Sequence, residues 1–100
     1  MQTMCIKDFI YSNFITVEFR SYVNPDVYLD GFKPGKKINI ILADNILLRE
    51  FLGILFYKNN KDIGFVAINR NLVHKNRGFC EGDFIEVFSP IKKAKRPQKM

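Results

Sequence analysis

The chain reads as one small, mainly β domain made of two related halves, with short helices and a basic C-terminal stretch. Three observations point there. Phe14 to Arg20 alternates strictly, with Ile15, Val17 and Phe19 on one side and Thr16, Glu18 and Arg20 on the other, the period of a half-buried strand. Further apolar runs rich in Ile, Val and Phe are separated by Gly, Asn, Asp and Pro, which are turn residues. A glycine-punctuated motif also occurs twice at a fixed offset.

The elements follow in order. Asn24-Pro25-Asp26 ends the first strand, with Asn24 placed to cap a short turn or helix whose first position is Pro25. Gly31 to Gly35 is a turn and Lys37 to Leu42 a β-rich run. Asp44 is a candidate N-cap for a helix from Asn45 to Leu52, whose Ile46, Leu47, Leu48, Phe51 and Leu52 form a broad apolar face. Gly53 is placed to stop that helix. Ile54 to Lys58 and Ile63 to Ile68 read as strands joined at Asn59-Asn60-Lys61-Asp62. Asn69 opens a short helix-like stretch ending near Gly78, and Phe84 to Phe88 is the last strand, closed by Pro90.

The repeat links Gly31-Phe32-Lys33-Pro34-Gly35-Lys36-Lys37-Ile38-Asn39-Ile40 with Gly78-Phe79-Cys80-Glu81-Gly82-Asp83-Phe84-Ile85-Glu86-Val87, both G-F-x-x-G-x-x-I-x-(I/V). Upstream, Tyr22-Val23-Asn24 matches Ala67-Ile68-Asn69. The halves cover about residues 12–43 and 53–89, joined by the helix near 44–52. Residues 1–90 are thus one domain, and 91–100 a tail without apolar periodicity, expected to be disordered.

The run from Gly64 to Val87, with Ile68-Asn69-Arg70-Asn71-Leu72 and then Gly78-Phe79-Cys80-Glu81-Gly82-Asp83, resembles the cradle-loop barrels. These comprise the AbrB-type swapped-hairpin regulators and the double-psi β-barrels. The first half departs from the pattern, because Lys36 stands where an acid follows the second glycine. The resemblance implies a six-stranded pseudo-twofold barrel. It also implies a DNA contact near the start of the second helical turn, where Arg70 is the nearest counterpart.

Charge and chemistry narrow the function. The net charge of +6 is uneven: Lys92, Lys93, Lys95, Arg96 and Lys99 have no acid beside them, and the remaining eleven basic residues face all ten acids. The folded part is near neutral. His74 is the one histidine, and Cys5 and Cys80 have neither C-x-x-C spacing nor a third ligand. The residues therefore point to no enzyme, no metal and no cofactor. Glu81 and Asp83 read as a solvated turn. With no apolar run of about 18 residues and no signal-peptide pattern at the start, a cytoplasmic location with reduced thiols and no membrane association is expected.

The expected function is macromolecule binding. Nucleic acid stands first, because Lys33, Lys36 and Lys37, then Arg70, Lys75 and Arg77 with His74, then Lys92, Lys93, Lys95 and Arg96 offer phosphate contacts. The alternative is a small protein-binding regulator or inhibitor that occludes a larger enzyme. Tyr11, Tyr22, Tyr28 and Tyr57 are its candidate half-exposed contacts. Monomer and homodimer are both open.

Overall fold

A computed structural model describes residues 14–90. Five strands, β1 (Phe14–Ser21), β2 (Ile38–Ala43), β3 (Phe65–Ile68), β4 (Asn71–Leu72) and β5 (Phe84–Phe88), form one mixed sheet in the order β2-β1-β5-β3-β4. Among the described residues, one helix, α1 (Leu48–Leu55), and a 3-10 turn (Asn59–Asp62) accompany the strands. β1 is antiparallel to β2 and parallel to β5, and β3 is antiparallel to β5 and β4.

The alternation of β1 is realised. Ile15, Val17, Phe19 and Ser21 are buried on one face with Leu42 of β2, Ile85 and Val87 of β5, and Val66 and Ile68 of β3. Leu48, Phe51 and Leu55 of α1 close that core. A run of rings threads it. Phe32 lies 6.4 Å from Phe19, Phe19 lies 5.7 Å from Phe51, and Phe51 lies 5.3 Å from Phe79. The two phenylalanines of the repeated motif thus reach the same core, from opposite ends of one aromatic series.

The second glycine of the motif behaves alike in both copies. Gly35 and Gly82 have φ of +79° and +83°. The turns around them are closed by Lys36 N–H donating to the Lys33 carbonyl and Asp83 N–H to the Cys80 carbonyl, each at 3.0 Å. Glycine at the third position with positive φ is the type II pattern. Gly35 N–H donates to the Ser21 carbonyl and Gly82 N–H to the Thr16 carbonyl, each at 2.8 Å, so the two turns anchor to opposite ends of β1. The strands that follow flank β1 on its two sides, with Ile38 and Ile85 both opposite Phe19.

The described residues form an open five-stranded mixed sheet, and among them a sixth strand and closure into a barrel are not shown. The helix fills one face, and β4, at the edge that closure would use, is only two residues long. The helix begins at Leu48, not Asn45, because its first amides are held from outside: Leu48 N–H donates to the Arg77 carbonyl (2.7 Å) and Arg49 N–H to Asn76 Oδ1 (2.8 Å). Glu50 completes the start by accepting from Leu47 N–H at 2.9 Å. Gly53 lies inside the helix instead of ending it.

Ile54 to Lys58 is not a strand. It ends α1 and leads into the 3-10 turn, whose first amides, those of Lys58 and Asn59, donate to Asp26 Oδ2 at 2.7 and 2.8 Å. The stretch from Asn69 is not helical either. Asn69 and Arg70, with φ of 54° and 73°, form the two-residue turn between β3 and β4, the backbone a type I′ hairpin requires. The match of Asn24 with Asn69 therefore has no structural counterpart, and Gly78 lacks the positive φ of Gly31. Cys80 is not a free thiol, so the expectation of reduced cysteines does not hold for it.

Candidate interaction face

Helix α1 covers one side of the sheet, and among the described residues no helix covers the other. The pairing registers bring Phe14, Thr16, Glu18 and Arg20 of β1 to this second side, with Asn39 and Ile41 of β2, Phe84, Glu86 and Phe88 of β5, Phe65 and Ala67 of β3, and Leu72 of β4. Strand alternation alone would make it polar in a sheet with one wet face. Here about half its positions are aromatic or aliphatic.

The centre of the face is charged but internally paired. Arg20 bonds Glu86 at 3.2 Å, and Lys37 approaches Glu18 at 3.8 Å. Both cations lie over the Phe84 ring, Lys37 Nζ 4.8 Å and the Arg20 guanidinium 5.4 Å from its centroid, so their stems shield a phenylalanine on an otherwise open face. Glu86 is buried, with Arg20 as its counter-ion. Two acids against two bases leave this centre without net charge.

Apolar ground flanks that centre on both sides. At one end Phe14 and Ile41, diagonal neighbours across β1 and β2, are each 70% exposed. At the other, Phe88 stacks between Tyr22 (5.5 Å) and Phe65 (4.7 Å), with Leu72 of the edge strand 56% exposed beyond. Exposed rings held in place by stacking offer contact area at little further entropic cost.

Among the described residues, the cations expected to bind nucleic acid do not gather into one surface. Lys33, Lys36 and Lys37 lie at or just before β2, on one edge of the sheet. Arg70, Lys75 and Arg77 lie around β4, on the other. Lys37 is engaged with Glu18, while Arg77 bonds Asp83 at 3.2 Å and the Gly78 carbonyl at 2.9 Å. Lys33, Lys36, Arg70 and Lys75 are exposed. His74, Lys75 and Arg77 line an open groove of about 450 Å³ beside the β3–β4 hairpin, with Asn69, Asn71 and Leu72. Lys92, Lys93, Lys95 and Arg96 lie outside the described residues, as does Tyr11.

Asp83, expected to be solvated, is instead buried and triply bonded. Its Oδ1 accepts from Asn69 Nδ2 at 2.9 Å, and its Oδ2 from Cys80 N–H at 2.8 Å and from Arg77. Asn69 Oδ1 in turn accepts from Phe84 N–H at 2.9 Å. The cluster ties the hairpin turn to the start of β5. Glu81 is exposed and accepts from Thr16 N–H at 3.0 Å. Both carboxylates hold backbone in place.

Tyr22, Tyr28 and Tyr57 are all exposed, but only Tyr22 stacks on the open face; Tyr57 donates to the Asp26 carbonyl and Tyr28 to Asp30. The Tyr28 hydroxyl has its pKa raised above the usual phenol value, first by its hydrogen bond to Asp30 and then by that carboxylate's charge. Among the described residues no group of three His, Cys, Asp or Glu could hold a metal ion, and no helix is long and apolar enough to cross a membrane. The open face was readable in part. Phe84 and Phe88 alternate with Glu86, and Phe65 and Ala67 with Val66 and Ile68, but which strands stand side by side is not a property of any one run. No family model, curated protein or solved structure matches the chain.

Proposed function

We propose that this domain is a protein-binding module that docks a partner on the open face of its sheet. One observation carries the reading: an aromatic and aliphatic face, uncovered among the described residues, whose central charges are already paired with one another. A surface for phosphates needs cations with unspent charge. This face instead offers ring and alkyl area around an ion-paired centre without net charge, the composition of a protein interface core. Its partner is expected to present apolar side chains without strong net charge.

The test uses the full chain as bait. A complex captured by the wild type should survive nuclease and high salt, and should fail with Phe65→Ser combined with Leu72→Ser. It should persist with Arg70→Ala combined with Lys75→Ala. Capture that depends on Arg70 and Lys75 and vanishes with nuclease would overturn the proposal. That result would support the second reading, nucleic acid binding, favoured by the groove that His74, Lys75 and Arg77 line. On that reading, binding to a generic duplex weakens steeply as salt rises.

A further inference from the structure

We infer that a second copy of this chain pairs with the first along the free edge of β2, making one continuous sheet from two domains. The backbone bonds of β1 show which groups that edge presents. Glu18 N–H and Tyr22 N–H donate to carbonyls of Asp83 and Val87, and the Thr16 carbonyl accepts from Gly82. Even-numbered residues of β1 therefore bond toward β5. The odd-numbered ones bond toward β2, as the Ser21 carbonyl does in accepting from Gly35. In an antiparallel pair, bonded and non-bonded pairs alternate. Ile38, Ile40 and Leu42, opposite Phe19, Val17 and Ile15, thus spend their backbone groups inward. Asn39 and Ile41 turn theirs out, and among the described residues no backbone or side-chain bond reaches them.

This edge lacks the features that keep sheet edges apart. Ile38–Ala43 has six residues, no charge and no proline, and a strand of that kind is a template for another. The sequence also favours a copy of itself. Antiparallel pairing about a twofold axis at Ile41 sets that residue opposite its own equivalent and Asn39 opposite the partner's Ala43. No like charges then meet within the strand, and Ile41, 70% exposed in one copy, becomes covered by its mate. Such a contact is isologous and closes on itself. Because the shared face is continuous, the dimer would place two aromatic surfaces side by side.

The experiment is sedimentation of the full chain over about 1 μM to 1 mM, a range wide enough for a small interface, with amide exchange of Asn39 and Ile41 at both ends of it. A mass rising from one chain toward two, with protection at these amides that grows with concentration, is expected. Ile41→Pro removes only an outward N–H, the position where an edge tolerates proline, and should abolish the dimer. Ile41→Lys, at an exposed side chain, should weaken it at least about tenfold through charge on the edge, and it serves if the proline variant does not fold. A monomer at every concentration would overturn the inference, whether the two amides exchange freely or are protected by a segment of the same chain. So would a dimer that survives both substitutions. Phe65 and Leu72 lie on β3 and β4, across the sheet from β2, so loss of partner capture there and loss of dimer here are separate results.

Discussion

Replacing Asp83 with alanine should destabilise this domain more than any other single carboxylate substitution among the described residues. Asp83 is 7% exposed and accepts from Cys80 N–H at 2.8 Å, Asn69 Nδ2 at 2.9 Å and Arg77 at 3.2 Å. Hydrogen bonds to a charged acceptor are worth about 1.5–3 kcal/mol each, and a buried donor left unpaired adds its desolvation cost. The Arg77 side chain is 41% exposed, so its bond is screened and contributes under about 1 kcal/mol. The other two, sharing one carboxylate and therefore not additive, bring the expected loss for Asp83→Ala to about 3 kcal/mol. Asp83→Asn keeps one acceptor oxygen and should lose about half as much.

Urea unfolding measures both, and for a domain of this size 3 kcal/mol moves the midpoint by roughly 2–3 M. Double-mutant cycles then apportion the effect: coupling of Asp83 to Asn69 should exceed about 1 kcal/mol, and coupling to Arg77 should stay below it. An Asp83→Ala protein within about 0.5 kcal/mol of wild type would refute the reasoning. So would a cycle in which Arg77 takes the larger share, since the lock would then be a surface ion pair.

The glycine turns give a second set of outcomes. Gly35→Ala and Gly82→Ala should each cost about 1–2 kcal/mol, because alanine is strained at positive φ, and at Gly35 the new methyl would also meet Tyr22 Cε1 at 3.1 Å. Gly78→Ala should stay within about 0.5 kcal/mol, since its added carbon would meet only Leu47 Cδ2 at 3.8 Å and the Ile46 carbonyl at 4.0 Å; equal losses at Gly78 and Gly82 in thermal melts would contradict the turn assignment. For Tyr28, absorbance titration of the phenolate should show its hydroxyl ionising above the usual range in wild type and returning toward it in Asp30→Asn. The direction follows because the hydroxyl donates to Asp30 and its ionised form would face that carboxylate; an unchanged titration would remove the contact.

Much of the fold was legible in short patterns. The strict alternation of Phe14 to Arg20 determined both a strand and its buried face, since a period of two admits one register with the core. The repeated Phe-x-x-Gly marked two equal turns and two core phenylalanines, because positive φ at a tight turn selects glycine. Where local signals competed with distant partners, they misled. Asp44 is a good cap by composition, yet the helix starts three residues past Asn45 because Arg77 and Asn76 hold its first amides. Asn69-Arg70 lacks the glycine that announces a hairpin, and its left-handed backbone is held instead by bonds that Asn69 makes to Asp83 and Phe84.

By itself, then, the sequence determined a mainly β domain, the buried side of β1, the paired turns and the concentration of positive charge after residue 91. Only tertiary structure decided that β1 lies between β2 and β5, that the sheet stays open among the described residues, and that the expected cations within those residues part to opposite edges. The physical reason is reach. Periodicity and turn chemistry act over a few residues, whereas the open face draws Phe14, Tyr22, Ile41, Phe65, Leu72 and Phe88 from five strands and a loop, which only the pairing of those strands brings together.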